Sequence, residues 1–142
     1  MGIINAFEIG RQGLEVHGKR VEIAAKNVAN IDTPNYTRKI PVISSAQDTS
    51  FANVLSSMGI GKFTSNMGGV SYDGIVEDPT PGAKVYKPGH PDADKDGYIR
   101  TSNTNAMVDI ADATLAQRAY EASLSVMTIS KAMAVASLEI GK

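Results

Sequence analysis

Three carboxylates and a glycine crowd into the stretch HPDADKDGYIR, with Asp92, Asp94, Asp96 and Gly97 spaced like the first ligands and the sharp-turn glycine of a calcium loop. The second half does not follow. Position nine of that loop is the cation Arg100, position twelve is Asn103 where a bidentate Glu is required, and Pro88-Gly89-His90-Pro91 rules out an incoming helix. The stretch reads instead as an acidic turn: Asp side chains accept hydrogen bonds from nearby backbone N–H groups, and Gly97 supplies a positive φ.

Catalytic chemistry finds no better footing. His17 and His90 stand far apart, and a lone histidine in a helical apolar pattern reads as a packing residue. Gly61-Lys62 has the outline of a phosphate loop, but Phe63 occupies the Ser/Thr position and Ser56 the first glycine position. No nucleophile elbow is present. The absence of Cys excludes thiolate metal sites, cysteine nucleophiles and disulfides. The expectation is a protein that is not an enzyme, with no catalytic residue, no cofactor and no metal.

A third group, AKNVANIDTPNY over residues 25–36, has the chemistry of a helix end. Asn27 and Asn30 can bond orphan carbonyls or the chain beyond, Asp32-Thr33-Pro34-Asn35 makes a turn, and Tyr36 can fold back. Two asparagines on a packed helix also suggest specific pairing rather than solvation.

The elements that position these residues follow from apolar spacing. Phe7, Leu14, Val21 and Val28 fall seven apart, beside a second row of Ile3, Gly10, His17, Ala24 and Ile31. That spacing predicts a seam-bearing helix over residues 3–30, ended by Pro34. Val108, Leu115, Ala122, Ile129 and Ala136 form one row of a second helix over 104–140, and Asp112, Ala119, Val126, Met133 and Ile140 the other. Asn103 or Thr104 is the predicted cap. Such a helix is roughly 55 Å long, too long to bury itself in a small globule, so it needs a partner along its length. Between them, residues 40–103 hold five of the six Pro and most of the Gly. A helical turn is predicted over 49–57. A strand with a glycine bulge at Asp73-Gly74 is predicted from Gly68, and short strands over 84–87 and 98–101.

The fold class expected is α+β: long N- and C-terminal helices in an antiparallel coiled-coil-like pair with a face left over, and a small β-rich insert between them. Three regions result: 1–39 and 104–142 as the two halves of a helical domain, and 40–103 as the insert. A net charge of −1 without a basic patch argues against nucleic acid. No run approaches the roughly 18 apolar residues of a membrane span, and the N-terminus lacks the charge and apolar run of a cleaved signal peptide.

The segment 25–36 closely resembles the N-terminal signature of bacterial flagellar axial proteins, the rod and hook family. Asn27, Ala29, Asn30, Thr33, Pro34 and Tyr36 match it, and Asn35 replaces the usual Gly. Residues 74–100 and the terminal AQRAYEASLSVMTISKAM over 116–133 are similar to the matching segments of proximal-rod subunits. The resemblance implies a structural subunit of the proximal rod, the torque-transmitting shaft. It implies export through the flagellar type III apparatus without a cleaved signal, and residence in the periplasmic part of the basal body. Implied partners are sister copies and other rod proteins of the FlgB, FlgF and FliE types. A different axial subunit, or a non-flagellar coiled-coil adaptor, would share the same helices. The residues expected to carry assembly are Phe7, Leu14, Val21 and Val28 on the first helix, and Val108, Leu115, Ala122, Val126, Ile129 and Met133 on the second. Gly2, Gly10, Gly13 and Gly18 weaken the first helix, so the ends are expected to complete their order only on assembly.

Overall fold

A computed structural model describes residues 2–46, 58 and 69–140. The helical turn expected over 49–57 and the phosphate-loop outline at Gly61-Lys62 lie outside the described residues. The chain runs α1 (Gly2–Ala29), β1 (Lys39–Ala46), β2 (Gly69–Glu77), β3 (Lys84–Tyr86), β4 (Tyr98–Arg100) and α2 (Ala106–Ile140). This is the α+β arrangement expected, two long terminal helices around a small β insert.

The helices pack antiparallel. Gly10 lies against Met127 and Gly13 against Ser123, while Asn27, near the end of α1, meets Asp109 at the start of α2. The contact line on α2 differs from the expected rows by one residue. Asp109, Ala116 and Ser130 are buried, and Met127 and Ser123 reach the α1 glycines. The predicted row with Val108, Leu115 and Ile129 is exposed instead. The physical reason is close approach. A Cβ at Gly10 would stand 2.5 Å from Met127 Cγ, and one at Gly13 would stand 2.7 Å from Ser123 Oγ. Backbones this near leave room for Ala and Ser between them and none for a row of Leu and Ile. On α1, Gly10 and Ala24 of the second expected row are buried, whereas Phe7, Leu14, Val21 and Val28 are half-buried on its flank.

The start of α2 is also corrected. Asn105, not Asn103 or Thr104, is the cap: its Oδ1 accepts from the N–H groups of Met107 at 3.0 Å and Val108 at 3.4 Å. At 1.5 Å per residue the 35 residues of α2 span about 52 Å.

Among the described residues the insert forms two separate two-stranded antiparallel sheets, β1–β2 and β3–β4. β1 has no counterpart among the expected strands, because Pro41 and the serines 44–45 read as turn chemistry. It is tolerated as a strand because, among the described residues, β1 pairs on one side only. β2 carries the expected bulge: Val42 pairs with Gly74 and Ile43 with Tyr72, leaving Asp73 as the extra residue, and Gly74 takes φ 130°. In β3–β4 the rings of Tyr86 and Tyr98 meet edge to face at 5.2 Å.

Gly82 joins the insert to the entry of α2. Its neighbour Ala83 accepts a hydrogen bond from Thr101 N–H at 2.9 Å, and a Cβ at Gly82 would run into the Thr101 carbonyl. Backbone, not a yielding side chain, blocks that position. Gly82→Ala is therefore expected to lower unfolding free energy by about 2–3 kcal/mol, read as a lower urea midpoint with an unchanged slope.

Candidate assembly interface

The signature turn is built around one buried amide. Asn27 is only 1% exposed and uses its full hydrogen-bonding capacity. Its Oδ1 accepts from Lys39 N–H at 2.9 Å and from the Tyr36 hydroxyl at 3.1 Å. Its Nδ2 donates to the Lys39 carbonyl at 2.8 Å and to Asp109 Oδ1 at 3.1 Å. One side chain thus imitates a strand neighbour for Lys39, holds Tyr36 in its folded-back position and reaches across to α2.

Around it the rest of the signature closes the helix. Asn30 Nδ2 donates to the Lys26 carbonyl at 2.8 Å, and Thr33 Oγ1 donates to Asn30 Oδ1 at 3.2 Å. Ala29 is the last residue of α1, and half-buried Pro34 begins the turn out of it. Asn35 sits at φ 59°, in the left-handed region, and its N–H donates to the Arg100 carbonyl at 3.0 Å.

Two residues of this junction, Asp109 and Arg38, were not singled out from sequence, and a third, Asn103, was expected as a helix cap but serves here instead. The Arg38 guanidinium bonds Asp109 through Nε at 3.1 and 3.2 Å and through Nη2 at 3.0 Å, and reaches Asp112 at 3.5 Å. The hydrogen bond that it donates to Asp109 raises the guanidinium's pKa further, against the opposing effect of burial. Burial, with the Asp109 charge added, also raises the Tyr36 phenol, so it remains a neutral donor. Asn103 Oδ1 accepts from Arg38 N–H, and its Nδ2 donates to the Thr80 carbonyl at 2.7 Å and the Asp78 carbonyl at 3.3 Å. The sequence signal for Asp109 is a carboxylate seven residues before Ala116, on the row that meets α1.

A cleft of about 290 Å³ opens beside this cluster between α1 and β1, lined by apolar Ile23, Ala24, Pro41 and Ile43 and by charged Arg20 and Asp112.

The acidic turn is self-contained. Asp94 Oδ1 accepts from the N–H groups of Asp96 at 3.0 Å and Tyr98 at 2.9 Å, and Gly97 takes φ 80°. His90 Nδ1 accepts from Asp92 N–H at 3.2 Å in the same loop, so the two histidines serve separate elements. His17 lies on the helix pair, with Nδ1 buried and without a hydrogen-bond partner among the described residues. Burial, aided by Arg20, lowers its pKa. The unfolded ring titrates near 6.5. The stability gained by keeping it neutral is thus complete above that pH, and is lost as pH falls towards the depressed folded value. A fall in melting temperature as pH drops below about 6.5 is expected, and His17→Gln should flatten it.

The faces left open differ in kind. The back of α1 is charged and internally paired: Arg11 bonds Glu8 at 2.7 Å and Glu15 at 3.1 Å, and Glu22 bonds Lys26 at 2.6 Å and Lys19 at 2.9 Å. Lys26 and Lys19 hold Glu22 down to about 2. Such exposed pairs add little stability but keep that face wet. α2 instead exposes Val108 at 45%, Leu115 at 56%, Val126 at 48%, Ile129 at 60% and Met133 at 57%, with exposed Ala122 among them.

Each residue turns a helix by about 100°, which fixes the sides of the pair. On α2, Leu115 and Val108 share the flank of Asp112, the residue that Arg38 reaches from the sheet entry. On α1, Val16 and Ile23 are buried on the sheet side, so Leu14 and Val21 fall on the other flank. The α2 stripe is thus on the sheet's side of the pair, and the α1 stripe is opposite.

Residues 7–37 match the family described as Flagella basal body rod protein, and residues 95–140 match Flagellar basal body rod FlgEFG protein C-terminal. Over its whole length and theirs, the chain is 30% identical to the flagellar basal-body rod protein FlgC of Bacillus subtilis and 30% identical to that of Salmonella typhimurium. It is 29% identical, again over both full lengths, to the FlgC of Buchnera aphidicola from Acyrthosiphon pisum.

Proposed function

The chain belongs to the FlgC family of flagellar basal-body rod proteins and is a structural subunit of the rod; from that premise we propose that it builds the shaft by joining copies head to tail through its terminal helices. The observation that carries this reading is the run of large apolar side chains left open along α2, beside a contact line with α1 made of small ones. A helix nearly 52 Å long with that much exposed apolar surface is poorly suited to a solitary life in water.

The α1 stripe (Phe7, Leu14, Val21, Val28) and the α2 stripe (Val108, Leu115, Ala122, Val126, Ile129, Met133) take opposite sides of the pair. The α2 stripe of one copy then meets the α1 stripe of the next. A contact between two different faces does not close on itself as a dimer but propagates into a ring or helix, which is the geometry a shaft requires. In this reading the subunit transmits torque and neighbours other rod proteins of the FlgB, FlgF and FliE types. It reaches the periplasm through the flagellar type III export apparatus.

Two one-faced variants test the polarity. Leu14→Asp with Val21→Asp spoils the α1 stripe, and Val126→Asp with Ile129→Asp spoils the α2 stripe. Each alone should sediment as a monomer, and their mixture should form a one-to-one heterodimer through the single intact pair of faces. Homodimers of either variant alone, or no association on mixing at high concentration, would refute head-to-tail joining.

A further inference from the structure

We propose that the Asn27–Asp109–Arg38 cluster is the register key of the helix pair, the group that decides which turn of α2 faces which turn of α1. The need for a key comes from the seam itself. On α2 the contact row advances by sevens from Asp109 to Ala116, Ser123 and Ser130. Sliding α2 by one such step puts Ser130 where Ser123 faced Gly13, and Ala134 where Met127 faced Gly10. Met127 then takes the place of Tyr120 near Gly18. Ser123, its hydroxyl bonded to the Ala119 carbonyl of its own helix, takes the buried place of Ala116, so no replacement adds more than one hydroxyl of bulk and packing alone scarcely distinguishes the two registers.

Only the end layer changes in kind. Ala116 would replace Asp109 opposite Asn27, removing the Asn27–Asp109 hydrogen bond and the paired contacts from Arg38. Arg38 would keep its half-buried site without its buried partner, since Asp112 moves away with Asp109. One layer of charged, hydrogen-bonded groups in an otherwise permissive seam is a means of fixing register, because the wrong alignment strands its buried groups. The same cluster carries the result into the insert: Asn27 brackets Lys39 at the start of β1, and Arg38 N–H is held by Asn103.

The chain has no cysteine of its own, so introduced pairs report register without interference. A Cβ at Gly13 lies 3.4 Å from Ser123 Cβ, close to disulfide spacing. Gly13→Cys with Ser123→Cys therefore reads the native register, and Gly13→Cys with Ser130→Cys reads the shifted one. In the otherwise native chain only the first pair should oxidise. The cluster is removed by Arg38→Met with Asp109→Leu, which exchanges the charge pair for apolar side chains of similar volume. In that background the 13–130 bridge should rise from background to a yield comparable with the 13–123 bridge, at native helical content by circular dichroism. A folded variant that bridges only 13–123, at the native rate, would overturn the proposal by showing that the connection through residues 101–105 holds the register. Loss of helical content would overturn it as well, since the cluster would then be holding the fold rather than choosing its alignment.

Discussion

A chain carrying Leu115→Asp is expected to fold normally and to be missing from isolated rods, leaving cells non-motile. The two halves of that expectation have separate causes. In the single chain Leu115 is 56% exposed, so the substitution removes little burial and costs about 0.5 kcal/mol in helix propensity. The melting temperature should fall by no more than about 2 °C. In the proposed head-to-tail contact the same side chain is covered by a neighbour. Each lost Leu contact forfeits about 1.5–3 kcal/mol, and the aspartate adds the cost of taking an unpaired carboxylate out of water. Every subunit in the stack repeats that loss, so the assembled state fails even though the folded one survives. Glu15→Ala, on the self-paired charged back of α1, removes a surface ion pair of small worth and should leave incorporation intact. Normal rods with Leu115→Asp would mean that the α2 stripe faces solvent or lumen, and another surface would have to be sought.

How the fold could be read from its sequence is clearest at this stripe. Seven-residue spacing of large apolar side chains located both helices, and their antiparallel pairing followed from the length and position of the helices. The same spacing misidentified the line of contact. Most of the large aliphatic side chains on α2 are ones its own α1 does not cover, whereas the line that meets α1 is Asp109, Ala116, Ser123 and Ser130, with Met127 and Tyr120 beside it. A search weighted by hydrophobicity passes over such a row. A search for small residues opposite Gly10 and Gly13 would have found it. The signature turn was legible because Asn, Pro and a left-handed Asn35 have narrow backbone preferences. β1 was not, since Pro41 and two serines mask a strand that pairs along one edge only. Arg38 was invisible for a different reason. Nothing local to an Arg-Lys pair reveals that one of the two turns inward to a carboxylate 71 residues away.

That inward pair gives the second large effect, and it depends on what replaces the aspartate. Asp109 is 2% exposed on its side chain and Arg38 20%. Removing one partner of a buried ion pair strands the other, a loss of about 3–5 kcal/mol when the survivor is fully enclosed. Arg38 keeps some contact with water and can lean towards the exposed Asp112, 3.5 Å away, so Asp109→Ala is expected to cost about 2–3 kcal/mol. For a chain of this size that is a drop of roughly 8–10 °C in melting temperature. Arg38→Met combined with Asp109→Leu should recover most of it, to within about 1 kcal/mol of the native chain, because apolar side chains of like volume avoid the desolvation cost of two charges. The measurement is a thermal or urea double-mutant cycle. A large positive coupling between the two sites is the expected sign, with each single variant worse than the pair together. Additive losses would mean that Arg38 and Asp109 act independently of one another, and the junction would be held by Asn27 and Asn103 alone. With strong coupling, the charge pair contributes little net stability over an apolar substitute. What keeps it in an otherwise small-residue seam is then alignment, because a rod subunit whose helices slipped by one step would present its stripes to the next copy at the wrong height.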